Sequence, residues 1–331
     1  MNNDFHPLVS IVMPVFNGSN YMREAIDSAL AQTYDNIEII VVNDGSKDNT
    51  EEIAKSYGDS IRYFAKENGG TPTALNMGIA NMRGEYFAWL SHDDLYKPNK
   101  IQREVECLAG LPDKNTIILS NYETIDENYK QIGCMHVEDV IAEYPKREFS
   151  KYFHVLFSTM HCCCLIPKKS FDTVGVFDVE RRVAHDHEFL NRILSNFPHK
   201  LIPEVLLTAR DSPSRQGRQA KLRCNIEYSL LIIEIIENLT DEDILLMQPS
   251  KEIFYLSVRN LLSAIGWTIG AEYADVMCVS VGIESFHNDI SQPQDIAVET
   301  RLSIVGRLRR SIKLYGFGRT VVRVIKKIFK R

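Results

Sequence analysis

Four short apolar runs alternate with stretches of helical periodicity between Leu8 and Leu108, and this alternation restricts the fold more than any other feature of the chain. The runs Leu8 to Met13, Ile37 to Val42, Ile61 to Phe64 and Tyr86 to Leu90 are rich in β-branched and aromatic residues. Turn chemistry stops each of them, which marks buried strands. Between the first two, Met22, Ala25, Ile26, Ala29 and Leu30 fall at spacings of three and four and predict a helix capped by Ser19 or Asn20. A shorter helix is expected near Asn49 to Tyr57, with Asp48 or Asn49 as its cap, and another from Thr73 to Met82. Strands and helices alternating over short connections predict a parallel sheet with right-handed crossovers.

The residues that end the runs carry the chemistry. Tyr86 to Leu90 stops at Ser91, His92, Asp93 and Asp94, and Ile37 to Val42 stops at Asn43, Asp44, Gly45 and Ser46. Ligands of open α/β sheets bind beyond the carboxyl ends of the strands, so Asp44, Asp93 and Asp94 are expected to converge on one crevice. Side chains alternate along an extended chain, so the adjacent Asp93 and Asp94 should do different jobs. Hard oxygen donors at such a place suit Mg²⁺ or Mn²⁺. No GxGxxG follows the first run and no GxxxxGK[ST] occurs, which excludes the dinucleotide-binding and P-loop cradles for phosphate.

Downstream, a helix to about Leu108, a strand from Thr116 to Ser120 and a polar hairpin-like stretch to Met135 are expected. Residues 136–160 are poorly patterned and read as a wall over the site. Cys162 to Ile166 reads as a strand and Lys168 to Val174 as a short helix. The run His185, Asp186, His187, Glu188 opens a helix that continues to Ser195, with Asp186 in the first turn, where the helix dipole favours negative charge. Leu201 to Thr208 is a further strand, followed by a loop with Arg210, Arg215 and Arg218. Helices from Ile226 to about Ser285 show packing faces and no evident chemistry. The seven cysteines form no CxxC pair and read as reduced thiols. His161 with Cys162 to Cys164 does not read as a zinc site, because consecutive residues on an extended segment face alternate sides.

The segments PVFNG at Pro14 to Gly18, VVNDGSKDNT at Val41 to Thr50, NGGTPTALNMGI at Asn68 to Ile79, GEYFAWLSHDD at Gly84 to Asp94 and GVFDVERRVAHDHEF at Gly175 to Phe189 together resemble the inverting glycosyltransferases of family 2, over about residues 8–210. The resemblance implies an α/β, GT-A type, Rossmann-like fold with a mostly parallel sheet flanked by helices. It implies a nucleoside diphosphate sugar donor, an acceptor hydroxyl, inversion at the anomeric carbon and a divalent metal, Mg²⁺ or Mn²⁺. Asp44 matches the family acid that contacts the base, and Pro14, Val15 and Asn17 match the loop lining that pocket. Asp94 matches the metal ligand of the variant DxD motif, here HDD, while Asp93 would lie toward the ribose or donor sugar. Asp186 matches the catalytic base, although His185 stands where Glu or Asp is common. Arg210 is similar to an element that reaches the diphosphate, but Ser212 occupies the expected His place and Gln216 falls one position late. His92 reads as shaping its turn, and Trp89 as core.

Charge divides the chain unevenly. Of 38 Lys and Arg, eleven lie in residues 301–331 with no acid among them, leaving residues 1–300 with 27 against 44 Asp and Glu. Two basic amphipathic helices are expected there. Ile304, Val305, Leu308, Ile312 and Tyr315 lie opposite Arg307, Arg309, Arg310 and Lys313, and Val321, Val324, Ile325, Ile328 and Phe329 lie opposite Arg323, Lys326, Lys327 and Lys330. Such faces suit an anionic membrane surface, while the acidic remainder and the lack of a nucleic-acid module argue against nucleic acid. No secretory signal and no run of 18 apolar residues is present. The expected organisation is a GT-A domain at 1–220, a helical C-terminal region at 221–290, a linker at 291–300 and the membrane-associating tail at 301–331. A cytoplasmic enzyme peripheral to the inner face of the membrane follows, acting on a glycan or glycolipid acceptor. The rivals are a non-catalytic sugar-nucleotide-binding or scaffolding protein of the same fold, and a nucleotidyltransferase.

Overall fold

The computed structural model describes residues 5–138, 159–211, 221–264 and 268–280. Residues 139–158 of the wall expected at 136–160, and the expectations for Ser212, Arg215, Gln216 and Arg218 and for the linker and tail, lie outside the described residues. A first compact unit runs from Met1 to Glu284 and a second from Ser285 to Arg331.

The described strands are β1 (Val9–Val15), β2 (Ile37–Asn43), β3 (Arg62–Ala65), β4 (Tyr86–Trp89), β5 (Leu95–Tyr96), β6 (Ile117–Ile125), β7 (Gln131–Met135), β8 (Cys164–Pro167) and β9 (His199–Arg210). They join one sheet in the order β3-β2-β1-β4-β8-β6-β9-β5, with β7 paired to β6. The pairings leave β1, β2, β3, β4, β6 and β9 pointing one way and β5, β7 and β8 the other, so the sheet is mostly parallel. Helices α1 (Met22–Leu30), α2 (Thr50–Lys55), α3 (Thr71–Asn81) and α4 (Lys100–Ala109) connect and flank the first strands. Then come α5 (Ser170–Val174), α6 (His185–Asn196), α7 (Lys221–Asn238), α8 (Asp241–Met247), α9 (Lys251–Ala264) and α10 (Thr268–Ser280).

The chain runs outward from β1 through β2 to β3, then returns to place β4 on the other side of β1. That reversal is the topological switch point at which sheets of this class open a crevice. Pro14 sharpens it. Leu90 N–H donates to Val12 O at 3.1 Å, and the next bond toward β4 would come from residue 14, which has no N–H to give. The ladder therefore ends there, and the chains leaving β1 and β4 part.

Burial explains the elements. Every residue of β1 is buried, as a strand covered on both faces requires. In α1, Met22, Ala25, Ile26 and Ala29 face the core as the spacing predicts, but Leu30 is 42% exposed. Neither Ser19 nor Asn20 caps this helix; Ser19 N–H instead donates to Asp48 Oδ2 at 3.0 Å. The His161–Cys163 segment is a 3-10 turn rather than strand, and Cys162, Cys163 and Cys164 are buried. Helix α7 is apolar around much of its girth because it serves two cores. Leu231 and Ile235 join the sheet's core, while Ile232 and Ile236 pack with Phe254, Tyr255, Leu262 and Ala274 of the helical region.

Candidate active site

The loop leaving β1 is bound to the loop leaving β2. Asn17 sits at φ 51, donates its N–H to Ser46 Oγ at 2.9 Å and accepts Lys47 N–H on Oδ1 at 2.8 Å. Gly18 N–H donates to Thr50 Oγ1 at 2.9 Å. A Cβ on Gly18 would lie 2.7 Å from His92 Cδ2 and would also collide with Val15, so only glycine lets the HDD turn pack on this loop. The His92 ring therefore packs close against Gly18. The side chains of Pro14 and Val15 are buried at the end of β1, whereas Phe16, which the sequence reading passed over, is 46% exposed beside them.

Asp44 lies just past β2 and is buried. Its Oδ1 accepts from Lys66 Nζ at 2.7 Å and Gly69 N–H at 2.9 Å, and its Oδ2 accepts from Gly70 N–H at 2.7 Å. The carboxylate therefore folds the Asn68-Gly69-Gly70 loop around itself. Gly70 holds φ 91, a conformation that costs other residues strain, and the Arg182 guanidinium lies against it.

Asp94 is also buried, and its Oδ1 accepts from Arg210 N–H at 3.1 Å. The Arg210 side chain is 1% exposed. Its Nε donates to Asp93 O at 3.3 Å, its Nη2 bonds Glu24 Oε2 at 2.9 Å, and its guanidinium sits 4.2 Å from the Tyr21 ring and 4.7 Å from the Tyr129 ring. Arg210 is thus the last residue of β9 and a buried brace behind the Asp93-Asp94 turn, not a solvated loop arginine. The Asp93 side chain is half-buried on the turn itself.

Asp186, the second residue of α6, keeps 15% of its side chain exposed. Oδ1 accepts from His187 N–H at 2.8 Å, and Oδ2 lies 3.2 Å from His161 Nδ1. Burial pushes the carboxyl upward, but the neighbouring His187 and His161 outweigh it and hold the group well below the usual carboxylate range. His161 stacks on Trp89, with ring centroids 3.6 Å apart, and its Nε2 lies 3.4 Å from Ser91 Oγ. The acids are linked through their neighbours. A Cβ on Gly70, whose N–H bonds Asp44, would meet Arg182, four residues before Asp186, and Asp186 connects through His161 to Ser91, which opens the Asp93-Asp94 turn.

Helix α7 completes this arrangement, although its sequence shows no chemistry. Glu227 accepts backbone N–H groups from Arg182 at 3.2 Å, Val183 at 2.7 Å and Ala184 at 3.0 Å, anchoring the loop that leads into α6. Tyr228 OH lies 3.2 Å from His187 Nδ1. Lys66, His161, Arg182, Glu227 and Tyr228 are the site residues that sequence reasoning missed. Of these, only His161 carried a signal, and it was weighed solely as a zinc ligand.

The donor set on the turn fits a hard divalent cation. Among the described residues no group of three His, Cys, Asp or Glu could enclose a metal ion. Two carboxylates at a strand end are what Mg²⁺ or Mn²⁺ uses when substrate phosphates supply the remaining oxygens.

The family model for Glycosyl transferase family 2 matches residues 10–175. An uncharacterized glycosyltransferase of Rickettsia prowazekii is 38% identical over 330 residues, covering 99% of this chain and 98% of its own. One from Rickettsia felis is 46% identical over 264 residues, 79% of this chain, and the alignment spans 43% of that longer protein. Among solved structures, Staphylococcus aureus TarS 1-349 in complex with UDP matches at a TM-score of 0.57 and 16% identity, covering 86% of this chain and 94% of that one. The mannosyltransferase PcManGT of Pyrobaculum calidifontis, in complex with GDP-Man and Mn²⁺, matches at 0.55 and 15%, covering 99% and 89%.

Proposed function

This chain belongs to glycosyl transferase family 2, and from that premise we propose that it is a metal-dependent inverting enzyme, moving a hexosyl or related sugar from a nucleoside diphosphate sugar to a hydroxyl of a glycan or glycolipid. The observation that carries this reading is the placement of Asp44 and of Asp93-Asp94 just past the carboxyl ends of β2 and β4, with Asp186 tied through His161 to Ser91 at the head of the second turn. Asp44 and the loop it folds receive the nucleoside, with the exposed Phe16 ring offering an apolar face to the base. Asp94 would hold Mg²⁺ or Mn²⁺, with Asp93 beside it toward the sugar; the ion neutralises charge on the departing diphosphate. Asp186 is the basic group to which the acceptor hydroxyl gives its proton, and attack opposite the leaving group inverts the anomeric centre.

A thermal-shift panel of UDP-, GDP-, dTDP- and CMP-sugars with Mn²⁺ tests the donor assignment. At least one should raise the midpoint in a metal-dependent way, because a ligand bound only by the folded state stabilises it. A flat panel would remove the nucleotide-sugar reading.

The acceptor belongs to assembly of a surface polysaccharide or glycolipid at the cytoplasmic face of the membrane. Support comes from the tail, where each cation near an anionic surface contributes about 1 kcal/mol. Among the described residues, no helix is long and apolar enough to cross a membrane. Deleting residues 301–331 should abolish co-sedimentation with phosphatidylserine-containing vesicles, and unchanged sedimentation would exclude the tail as the anchor.

A further inference from the structure

We propose that His161 is a positioning residue for Asp186, fixing its carboxylate from one side and tying it to the donor turn through Ser91. The inference rests on the reading of Asp186 as the basic group and adds the residue that makes that group point one way.

The geometry is a bridge between two elements. His161 Nδ1 faces Asp186 Oδ2 at 3.2 Å, and its Nε2 faces Ser91 Oγ at 3.4 Å. A carboxylate only accepts, so a hydrogen sits on Nδ1, and in the neutral ring Nε2 then accepts from the serine hydroxyl. The stack on Trp89, 29° from coplanar, sets the plane of the imidazole. Trp89 is 4% exposed in the floor of the sheet, so that plane is set by the core rather than by a loop. The other carboxylate oxygen is taken by His187 N–H at 2.8 Å, a bond within the start of α6. Each oxygen is therefore held by a different element, and the carboxylate cannot rotate without breaking one bond. The His187 ring, whose Nδ1 also lies 3.2 Å from Oδ1, and the bond from His161 hold the carboxyl's pKa down against burial. A general base must hold its lone pair within hydrogen-bond reach of one particular proton, so pinning both oxygens acts on turnover rather than on donor affinity.

Replacements of His161 separate this role from others in an assay of nucleotide release, run on the full chain with Mn²⁺ and the same sugar-nucleotide panel. Asn places its amide nitrogen near the position of Nδ1, and Gln near that of Nε2. His161→Ala and His161→Gln should lower kcat about 10²-fold, the effect of a small misplacement of a reacting group, with the donor KM within about twofold. His161→Asn should recover to within about threefold of the native rate, because it still donates to Oδ2. A His161→Ala rate equal to the native one would overturn the proposal. So would a His161→Asn rate as low as that of His161→Ala, which would mean that the imidazole handles the proton itself. Nitrogen-15 spectra of the native protein at pH 8 give a second readout independent of turnover: an Nδ1–H tautomer at His161 supports the bridge, and an Nε2–H tautomer overturns it. Asp186→Asn in the same assay keeps the two readings apart. If that variant keeps native turnover, the role of Asp186 falls; if it loses turnover while His161→Ala does not, only the role of His161 falls.

Discussion

Asp186→Asn is expected to lower turnover by about 10² to 10⁴, the range a positioned general base contributes, while nucleotide-sugar binding persists. The substitution is close to isosteric. The amide oxygen can still accept His187 N–H, now at 2.8 Å from Oδ1, so the start of α6 need not move. What is lost is the negative charge, the bond accepted from His161 Nδ1 by Oδ2 and the lone pair offered to the acceptor. Donor binding should be untouched, because the contacts expected for it lie at Asp44 and at the Asp93-Asp94 turn. Initial rates alongside thermal shift with the same donor measure both halves. Unchanged turnover would remove Asp186 from the chemistry, and binding without turnover in the native protein would favour a scaffolding descendant of the fold. The pH dependence has a defined sign. His187 and His161 hold the folded-state carboxyl below its usual range despite burial, so the charge persists as pH falls and is lost only in acid. Turnover should therefore not decline on account of Asp186 as pH falls through the usual carboxylate range.

Asp94→Asn is the second large effect. Arg210 N–H donates to Asp94 Oδ1 at 3.1 Å, and an amide oxygen can take that bond, so the turn keeps its brace. The charge that would hold the cation does not survive. A divalent ion on the leaving diphosphate is worth several kcal/mol, and each 1.36 kcal/mol is tenfold in rate, so a fall of about 10² or more is expected. The Mn²⁺-dependent part of the donor-induced thermal shift should vanish with it, as it should on adding EDTA to the native protein. If the variant keeps that Mn²⁺-dependent shift, Asp94 is not the ligand.

The four parallel strands were legible because their apolar runs are short, β-branched and sharply punctuated; β1, β2, β3 and β4 begin and end within one or two residues of the expected limits. The acids at the strand ends were legible for the same reason, since a polar residue directly after a buried run must emerge at the sheet's edge. Strand direction was not. Cys164–Pro167 is four apolar residues with no mark of polarity, and its antiparallel pairing to Tyr86, Phe87 and Ala88 is set by tertiary contacts. Capping misled at Ser19 because Asp48, 29 residues away, takes its N–H. The site's long-range partners were out of reach as well. Glu227 has the spacing of an ordinary helical acid, and nothing local shows that its carboxylate meets three amides more than 40 residues upstream. Arg210 looked like a loop residue because the two rings that cover it, Tyr21 and Tyr129, are far away in the sequence.

The missing hydrogen at Pro14 bears on how such an enzyme changes its substrates. Because a ring nitrogen in a fully buried strand stops β1 and β4 from zipping further, the width of the gap is written into covalent structure at the core. Surrounding segments, 66–70, 91–94 and 182–186, can then vary in sequence over a foundation that stays put. New donors or acceptors become reachable through edits to the rim, with the basement of the sheet left as it is.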